Sequence, residues 1–310
     1  MNLLYLIVLV PILSCSKHTA QDRYVKKNFN YEPIYRLEIT SSLSYLIKIN
    51  GITIAIKNQN AGNTRWFLIN NCIPKSGKQD IEVTISPQMN SDGLKHMEFI
   101  GNDKSFELEV ERTSWKNGSL SEPRVIYKHE LPEGDYSQKK LYSTKSIFKA
   151  EVSYQLIDWK NGKDLKKIHS VMLAEDVLKL YGKIKSHYEN QQGEDYIRLV
   201  EKGMFNIAQG GYLKPNEYET LKKDELDFIN EELTPLENLE NYSLEISSDE
   251  KLVSLKRTDG YNTVEGVLRR KFIESGQEKV YIDDLNFYMP QNNNSLEVIV
   301  YQNLEKSYNT

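Results

Sequence analysis

The 310-residue sequence contains few of the residues that build most catalytic and metal sites. Of its two cysteines, only Cys72 lies beyond the N-terminal segment, so no disulfide can form within the body of the chain. A buried, unreactive thiol is the favoured interpretation of Cys72. The five histidines lie 18 or more residues apart, so a metal site would need ligands from distant segments.

The sequence motifs of the common enzyme classes are missing as well. We find no phosphate-binding GxxxxGK(S/T) loop, no GxGxxG after a strand, no GxSxG nucleophile elbow and no HExxH zinc motif. The sequence therefore predicts a protein that is not an enzyme and that holds neither a cofactor nor a metal ion.

The chain also lacks an excess of positive charge and a long hydrophobic run. Its 40 Lys and Arg residues against 44 Asp and Glu give a net charge of −4, which excludes the overall basic field of a nucleic-acid-binding protein. The apolar run Leu3–Leu13 is too short to span a membrane, because its eleven residues reach only about 16 Å as a helix. That length is typical of the apolar part of a secretory signal.

Cys15 follows this run, directly after the small residue Ser14. The stretch Ile12-Leu13-Ser14-Cys15 resembles the lipobox of bacterial lipoproteins, although no Lys or Arg follows Met1 and Ile12 replaces the preferred Leu. The resemblance implies that residues 1–14 are a cleaved signal peptide and that lipidated Cys15 anchors the protein to a membrane of the cell envelope.

Two alternatives to the lipid anchor stay open. One is an ordinary signal peptide cleaved nearby, and the other is an uncleaved N-terminus in which Cys15 is another apolar residue. Residues 15–31 are polar and basic without apolar periodicity, and they predict an extended tether between the anchor and the body.

Residues 32–162 have the pattern of an all-β domain. Two alternating runs, Tyr45–Ile49 and Ile52–Ile56, flank Asn50-Gly51, which is the strongest short signal for a hairpin. Further strands are predicted at spacings near ten residues, which favours a β-sandwich, over Ile81–Ile85, Met97–Phe99, Phe106–Val110 and Phe148–Leu156. Residues 113–146 predict a long polar loop.

The period changes in residues 163–310. Leu173, Val177 and Ile184 predict a helix after Ser170, and two further helices are predicted over 194–209 and 215–233. Alternation returns after Tyr242. Helices followed by antiparallel strands predict an α+β domain with the helices on one face of the sheet, in an order similar to the nuclear-transport-factor-2-like fold. The predicted fold class of the whole chain is therefore α+β.

Two carboxylate groupings are the best candidates for acid-base chemistry. They are Asp259-Gly260 with Glu265 and Asp283-Asp284 with Glu278. Roles in turns or on solvated strands are the favoured interpretation, and the alternative is a hydrolase that draws its acid and base from distant strands.

The three tryptophans are the candidate binding residues, because each lies beside polar or turn residues. Packing in the core or at its rim is the favoured interpretation of Trp66 and Trp159, with binding as the alternative. Trp115 lies in the predicted long loop, where aromatic side chains commonly contact proteins or sugars.

Two classes of function follow from these features. The first is a lipid-anchored envelope protein that binds another protein. Its layout resembles the two-domain envelope lipoproteins that serve as immunity partners of secreted bacterial toxins. The second is a lipoprotein that binds or processes glycans at the cell surface. A purely structural envelope role is a third alternative.

Overall fold

A computed structural model describes residues 32–57, 64–88, 96–116, 119–232, 234–259 and 264–307. Cys15 and the whole of the predicted tether, residues 15–31, lie outside these residues. The described chain combines α-helices with antiparallel sheets, so the predicted α+β class is confirmed. No helix in these ranges is both long enough and apolar enough to cross a membrane.

In the described part of the chain before the first α-helix, nine strands form two antiparallel sheets. The strands are β1 (Glu32–Ser41), β2 (Ser44–Ile49), β3 (Ile52–Lys57), β4 (Thr64–Leu68), β5 (Gly77–Ser86), β6 (Phe106–Lys116), β7 (Ser119–Leu120), β8 (Arg124–Glu130) and β9 (Tyr142–Ala150). The first sheet has the order β4-β1-β6-β7, with β8 also paired to β6. The second sheet has the order β3-β2-β5-β9.

Both sheets send alternate side chains into one buried cluster. Leu37 and Ile39 from the first sheet and Ile47 and Val83 from the second are fully buried there. The hairpin between β2 and β3 is confirmed, because Asn50 and Gly51 have φ angles of 51° and 81°, as a tight turn with two left-handed residues requires.

The predicted long loop over residues 113–146 is wrong. This segment contains the end of β6, all of β7 and β8, and the start of β9. β8 pairs with β6 on one side only, and most of its side chains are exposed or half-buried. An edge strand of this kind has no strong apolar alternation, so its sequence resembles a loop. The predicted strand over Met97–Phe99 is also absent, and β9 ends at Ala150, before the predicted Leu156.

The three helices are α1 (Ser170–Glu189), α2 (Gly193–Gly210) and α3 (Pro215–Glu231), close to the predicted ranges. Tyr196, Val200 and Met204 form the buried stripe of α2. α3 begins at Pro215, whose fixed φ suits the first helical position, and it ends before the predicted residue 233.

The third sheet consists of β10 (Tyr242–Ile246), β11 (Val253–Arg257), β12 (Leu268–Glu274), β13 (Gln277–Tyr288) and β14 (Glu297–Ser307). β13 is central and pairs with β11, β12 and β14. It is one continuous strand of 12 residues, and Asp283-Asp284 lies in its middle.

Each face of the third sheet is packed against other elements. On one face, the Tyr181 hydroxyl of α1 donates to the Leu285 carbonyl at 3.1 Å, and the Tyr181 ring lies 4.8 Å from that of Phe287. On the other side, Tyr288 and Ile299 join the cluster buried between the first two sheets. The strands before α1 therefore share their core with the sheet that follows α3.

Candidate functional site

The outer face of the first sheet carries an exposed apolar groove of about 650 Å³. Trp66 on β4 lies opposite Glu38, and Trp115 on β6 lies opposite Glu32, so β1 runs between the two indoles. Trp66 is 62% exposed and Trp115 is 50% exposed. We call this surface the tryptophan groove and define it by Ile34, Trp66, Leu68, Trp115, Leu120, Pro123 and Ile207.

An ion pair crosses the floor of the tryptophan groove. The Arg36 Nε donates to Glu111 Oε2 at 2.8 Å, and the two residues are directly opposite on β1 and β6. Glu111 is only 9% exposed. Because each charge has its partner within the sheet, the floor does not present an unpaired charge from this pair to a ligand.

The other polar groups of the groove are also hydrogen-bonded within the protein. Asn70 accepts from the Tyr35 backbone N–H at 2.7 Å and donates to the Pro33 carbonyl at 2.9 Å. The Thr113 hydroxyl donates to the Ser121 carbonyl. The groove therefore offers apolar and aromatic surface rather than a set of free polar groups.

The C-terminal end of α2 forms one wall of the groove. Gly210 packs so closely on the short 3-10 turn after β4 that a Cβ atom there would lie 2.9 Å from the Asn71 nitrogen. Only glycine allows this approach, which brings Ile207 and Gly211 beside the first sheet.

A second cavity of about 360 Å³ adjoins the groove. The two share Leu68, Asn71 and Ile207 as lining residues. The walls of the second cavity include apolar side chains of β4, α2 and α3, and Glu225 of α3 and Tyr301 of β14 lie at its polar end. We call it the Glu225 pocket and define it by Phe67, Leu68, Met204, Leu221, Glu225 and Tyr301.

Behind the Glu225 pocket lies a chain of buried polar groups. The Tyr301 hydroxyl donates to Glu225 Oε1 at 2.5 Å and lies 3.2 Å from the Tyr196 hydroxyl. Asp283 lies deeper, 3.8 Å from the Arg270 guanidinium. That guanidinium packs on aromatic rings, with its Cζ 4.5 Å from the Phe228 centroid, as cation–π contacts require.

Burial raises the pKa of both carboxyl groups among these buried polar residues, Glu225 and Asp283. Burial raises the pKa of Glu225, although its hydrogen bond from Tyr301 and the charge of Arg270 act in the opposite direction. Burial also raises the pKa of Asp283 to about 7, against the charge of Arg270. A raised pKa means that each carboxyl retains its proton at a higher pH than in water.

The structure separates the three tryptophans that the sequence singled out. Trp66 and Trp115 share one groove, and Trp66 is too exposed to pack in the core. Trp159 is fully buried and its Nε1–H donates to the Asn50 carbonyl at 3.2 Å. Core packing is therefore confirmed for Trp159, and a binding role is wrong because no part of its ring reaches the surface.

Cys72 is buried, as the sequence predicts, and burial raises the pKa of its thiol well above the usual range. The solvated-strand interpretation of Asp283 and Asp284 is wrong. Both are at least 97% buried on β13, and the Lys256 Nζ donates to Asp284 at 2.6 and 2.7 Å.

Glu225 and Tyr301 are the site residues that the sequence reasoning missed. A signal for Glu225 does exist, because Tyr218, Leu221, Glu225 and Ile229 follow one another at helical spacing. A carboxylate on the apolar stripe of a helix is unusual and marks a place where the interior is polar. Tyr301 has no comparable signal, since aromatic residues are common on strands.

Within the described ranges, no group of three or more His, Cys, Asp or Glu side chains is placed to hold a metal ion. No protein-family model, curated protein or solved structure matches this chain.

Proposed function

We propose that the protein is a lipid-anchored protein of the bacterial cell envelope that binds another protein through the tryptophan groove. The supporting observation is the pairing of two exposed indoles on one concave, mostly apolar sheet face. Exposed apolar patches of this kind mark interaction surfaces, and tryptophan is among the residues that contribute most to binding energy. The proposed role is binding, without catalysis.

The polar groups of the groove already form hydrogen bonds within the protein, which favours a protein over a sugar as the ligand. A sugar presents many hydroxyl groups, and its recognition needs free donors and acceptors around the aromatic surface. Arg36, Glu111 and Asn70 already bond to protein atoms. Apolar side chains of a partner would bury the indoles without leaving hydroxyl groups unpaired.

The proposal includes two finer features of the fold. Residues 32–162 form a sandwich-like domain, and residues 163–310 form an α+β domain of nuclear-transport-factor-2-like order. The shared burial of side chains from the first two sheets supports the former. The sequence of three helices followed by an antiparallel sheet supports the latter.

Site-specific crosslinking in native cells tests the binding proposal. The photoreactive residue p-benzoylphenylalanine at position 120 would lie in the tryptophan groove, and at position 172 it would lie on the exposed face of α1. We expect one dominant protein adduct from position 120 and none from position 172. We expect Trp66→Ala with Trp115→Ala to remove the adduct. Equal adducts from both positions would contradict the proposal.

The immunity version of the proposal has its own test. We expect the chain to protect cells that express a secreted toxin encoded beside its gene, and we expect the double tryptophan variant to lose protection. If no neighbouring toxin is neutralised, the immunity version fails while binding of another protein is unaffected.

Glycan binding or processing is the second candidate function, and the two exposed indoles favour it because sugar rings stack on such surfaces. An array of envelope and host glycans tests it. Binding that disappears in Trp115→Ala would replace the protein-binding proposal, and absence of binding to any glycan would count against this candidate.

The anchor is tested separately. We expect Cys15→Ala to abolish incorporation of a labelled fatty acid and to release the protein from membranes. Incorporation of label into the variant would contradict lipidation at Cys15.

A further inference from the structure

The Glu225 pocket contains a carboxylate with which, among the side chains that the structure describes, no Lys, Arg or His forms an ion pair. The Glu225 carboxylate accepts a hydrogen bond from the Tyr301 hydroxyl. Arg270, the nearest charge that acts on it, packs against Asp283 and three aromatic rings. The pocket therefore has an acceptor at its polar end with no donor cation of its own.

The walls of the pocket suit the stem of a long cationic side chain. Phe67, Met204 and Leu221 supply apolar surface to the same pocket as the carboxylate, and Asn71, Gln302 and Asn303 add polar surface. Lysine and arginine bury their methylene groups along such surfaces while the charged end reaches a polar partner. Leu68 belongs to both cavities, so an occupant of the pocket would be continuous with an occupant of the tryptophan groove.

We propose that the Glu225 pocket receives an arginine or lysine side chain of the protein partner, next to the apolar side chains that fill the tryptophan groove. This inference rests on the proposed binding function and adds the charge of the partner to it. Glu225 accepts hydrogen bonds from the incoming cation, and Tyr301 orients the carboxylate. Truncation of the partner's cationic residue would leave Glu225 in an apolar pocket without a counter-charge.

The raised pKa of Glu225 supports this assignment. Burial disfavours the ionised carboxylate despite the charge of Arg270, and a cation that enters the pocket would favour it. The groups that surround Glu225 and share in this balance are Tyr301 on β14, Tyr196 on α2, Asp283 on β13 and Arg270 on β12. Burial keeps the two phenols neutral, and Asp283 lies beside Arg270 and does not line the pocket, so Glu225 is the acidic group that meets an entering cation.

A pair of small probes of nearly equal shape tests the assignment. n-Butylguanidinium carries the charge of an arginine side chain, and N-butylurea is its neutral counterpart. With the full chain in phosphatidylcholine nanodiscs, titration calorimetry should give the guanidinium an affinity about tenfold or more above that of the urea. Equal affinities would overturn the inference.

Variants of residues on α3 test whether the preference for the guanidinium probe arises in the Glu225 pocket. We expect Glu225→Gln to remove the preference for the guanidinium and Glu231→Gln, an exposed residue on the same helix, to retain it. If Glu225→Gln does not fold, Tyr301→Phe should weaken the preference severalfold because the carboxylate loses its donor. A preference that both Glu225→Gln and Tyr301→Phe retain would place the cation elsewhere and overturn the inference.

Failure of this inference differs from failure of the binding proposal. A crosslinked partner at position 120 together with no probe preference rejects the cationic side chain alone. A clear probe preference without any crosslinked partner rejects the binding proposal while the cation site stands.

Discussion

The first and third sheets each depart from the usual rule that apolar side chains are buried and charged side chains are exposed. The first exposes large apolar side chains on its outer face, including Trp66 and Trp115. The third buries charged side chains, among them Lys256, Asp283 and Asp284. The charged side chains of the third sheet find their partners on its own strands. The exposed indoles of the first sheet are the observation on which the proposed binding surface rests.

The largest effect should come from breaking the buried charge pair of the third sheet. Asp284→Ala leaves Lys256 buried and unpaired, so we expect it to lower the free energy of unfolding by about 3–5 kcal/mol. Urea unfolding followed by tryptophan fluorescence measures this.

Two controls sharpen that measurement. Lys256→Met with Asp284→Leu removes both charges and should recover most of the loss. Lys140→Ala breaks an exposed pair with Glu98 and should leave the unfolding midpoint unchanged. A double variant as unstable as the single one would contradict the role of the unpaired charge.

Replacing each tryptophan by alanine compares the buried core with the tryptophan groove. Trp159→Ala removes a fully buried indole and should cost about 3–5 kcal/mol of stability. Trp66→Ala and Trp115→Ala should each change stability by less than about 0.5 kcal/mol, because their rings lie largely in solvent. Thermal unfolding of the three variants decides this, and a large loss from either groove variant would mean that the groove is part of the core.

The pH dependence of stability should reveal the buried Asp283. The pKa of Asp283 is about 7 in the folded protein, against 3.8 for an ordinary aspartate. Folding therefore takes up a proton when the pH lies between these two values. Stability contributed by the protonated group is therefore full below about pH 4 and declines as the pH rises to about 7, by about 1.4 kcal/mol per unit.

Comparison with Asp283→Asn isolates this contribution. The difference in free energy of unfolding between the protein and the variant should slope between pH 4 and 7 and level off above. Parallel curves would show that Arg270 keeps Asp283 ionised throughout.

Substitutions of two glycines by alanine should change stability in opposite directions. Gly210→Ala places a Cβ against Asn71 at the wall of the groove and should destabilise by about 1–3 kcal/mol. Gly182→Ala lies on the exposed side of α1, where no atom is within 4 Å of the new Cβ, and should stabilise by about 0.5–1 kcal/mol. Chemical denaturation measures both, and a neutral Gly210→Ala would mean that the wall adapts.

Local signals explain which parts of the fold the sequence predicted correctly. The Asn50-Gly51 hairpin and the three helices depend on residues within one turn or a few helical turns, and these elements are confirmed. The edge strand β8 was missed because a strand paired on one side has no strong apolar pattern. Asp283 was misplaced because a buried charge is recognisable only from its partner Arg270 on another strand.

The candidate site was predictable in part. Trp115 is exposed although it lies on β6 and not in the predicted loop, and the interpretation shared by Trp66 and Trp159, packing in the core or at its rim, describes Trp159 but not the largely exposed Trp66. Burial of Trp159 depends on the Asn50 carbonyl, to which its indole donates from a distant part of the chain. Neighbours along the sequence therefore cannot separate an exposed tryptophan from a buried one.

The mixed fold class, the hairpin and the helices could be predicted from the sequence, because they follow from periodicity and turn residues that act over short distances. The shared groove of Trp66 and Trp115 and the contact between Glu225 and Tyr301 beside it became visible only in the folded chain. Strand register and helix packing join segments that are far apart in the chain, and the energy of those contacts is not written in any local pattern.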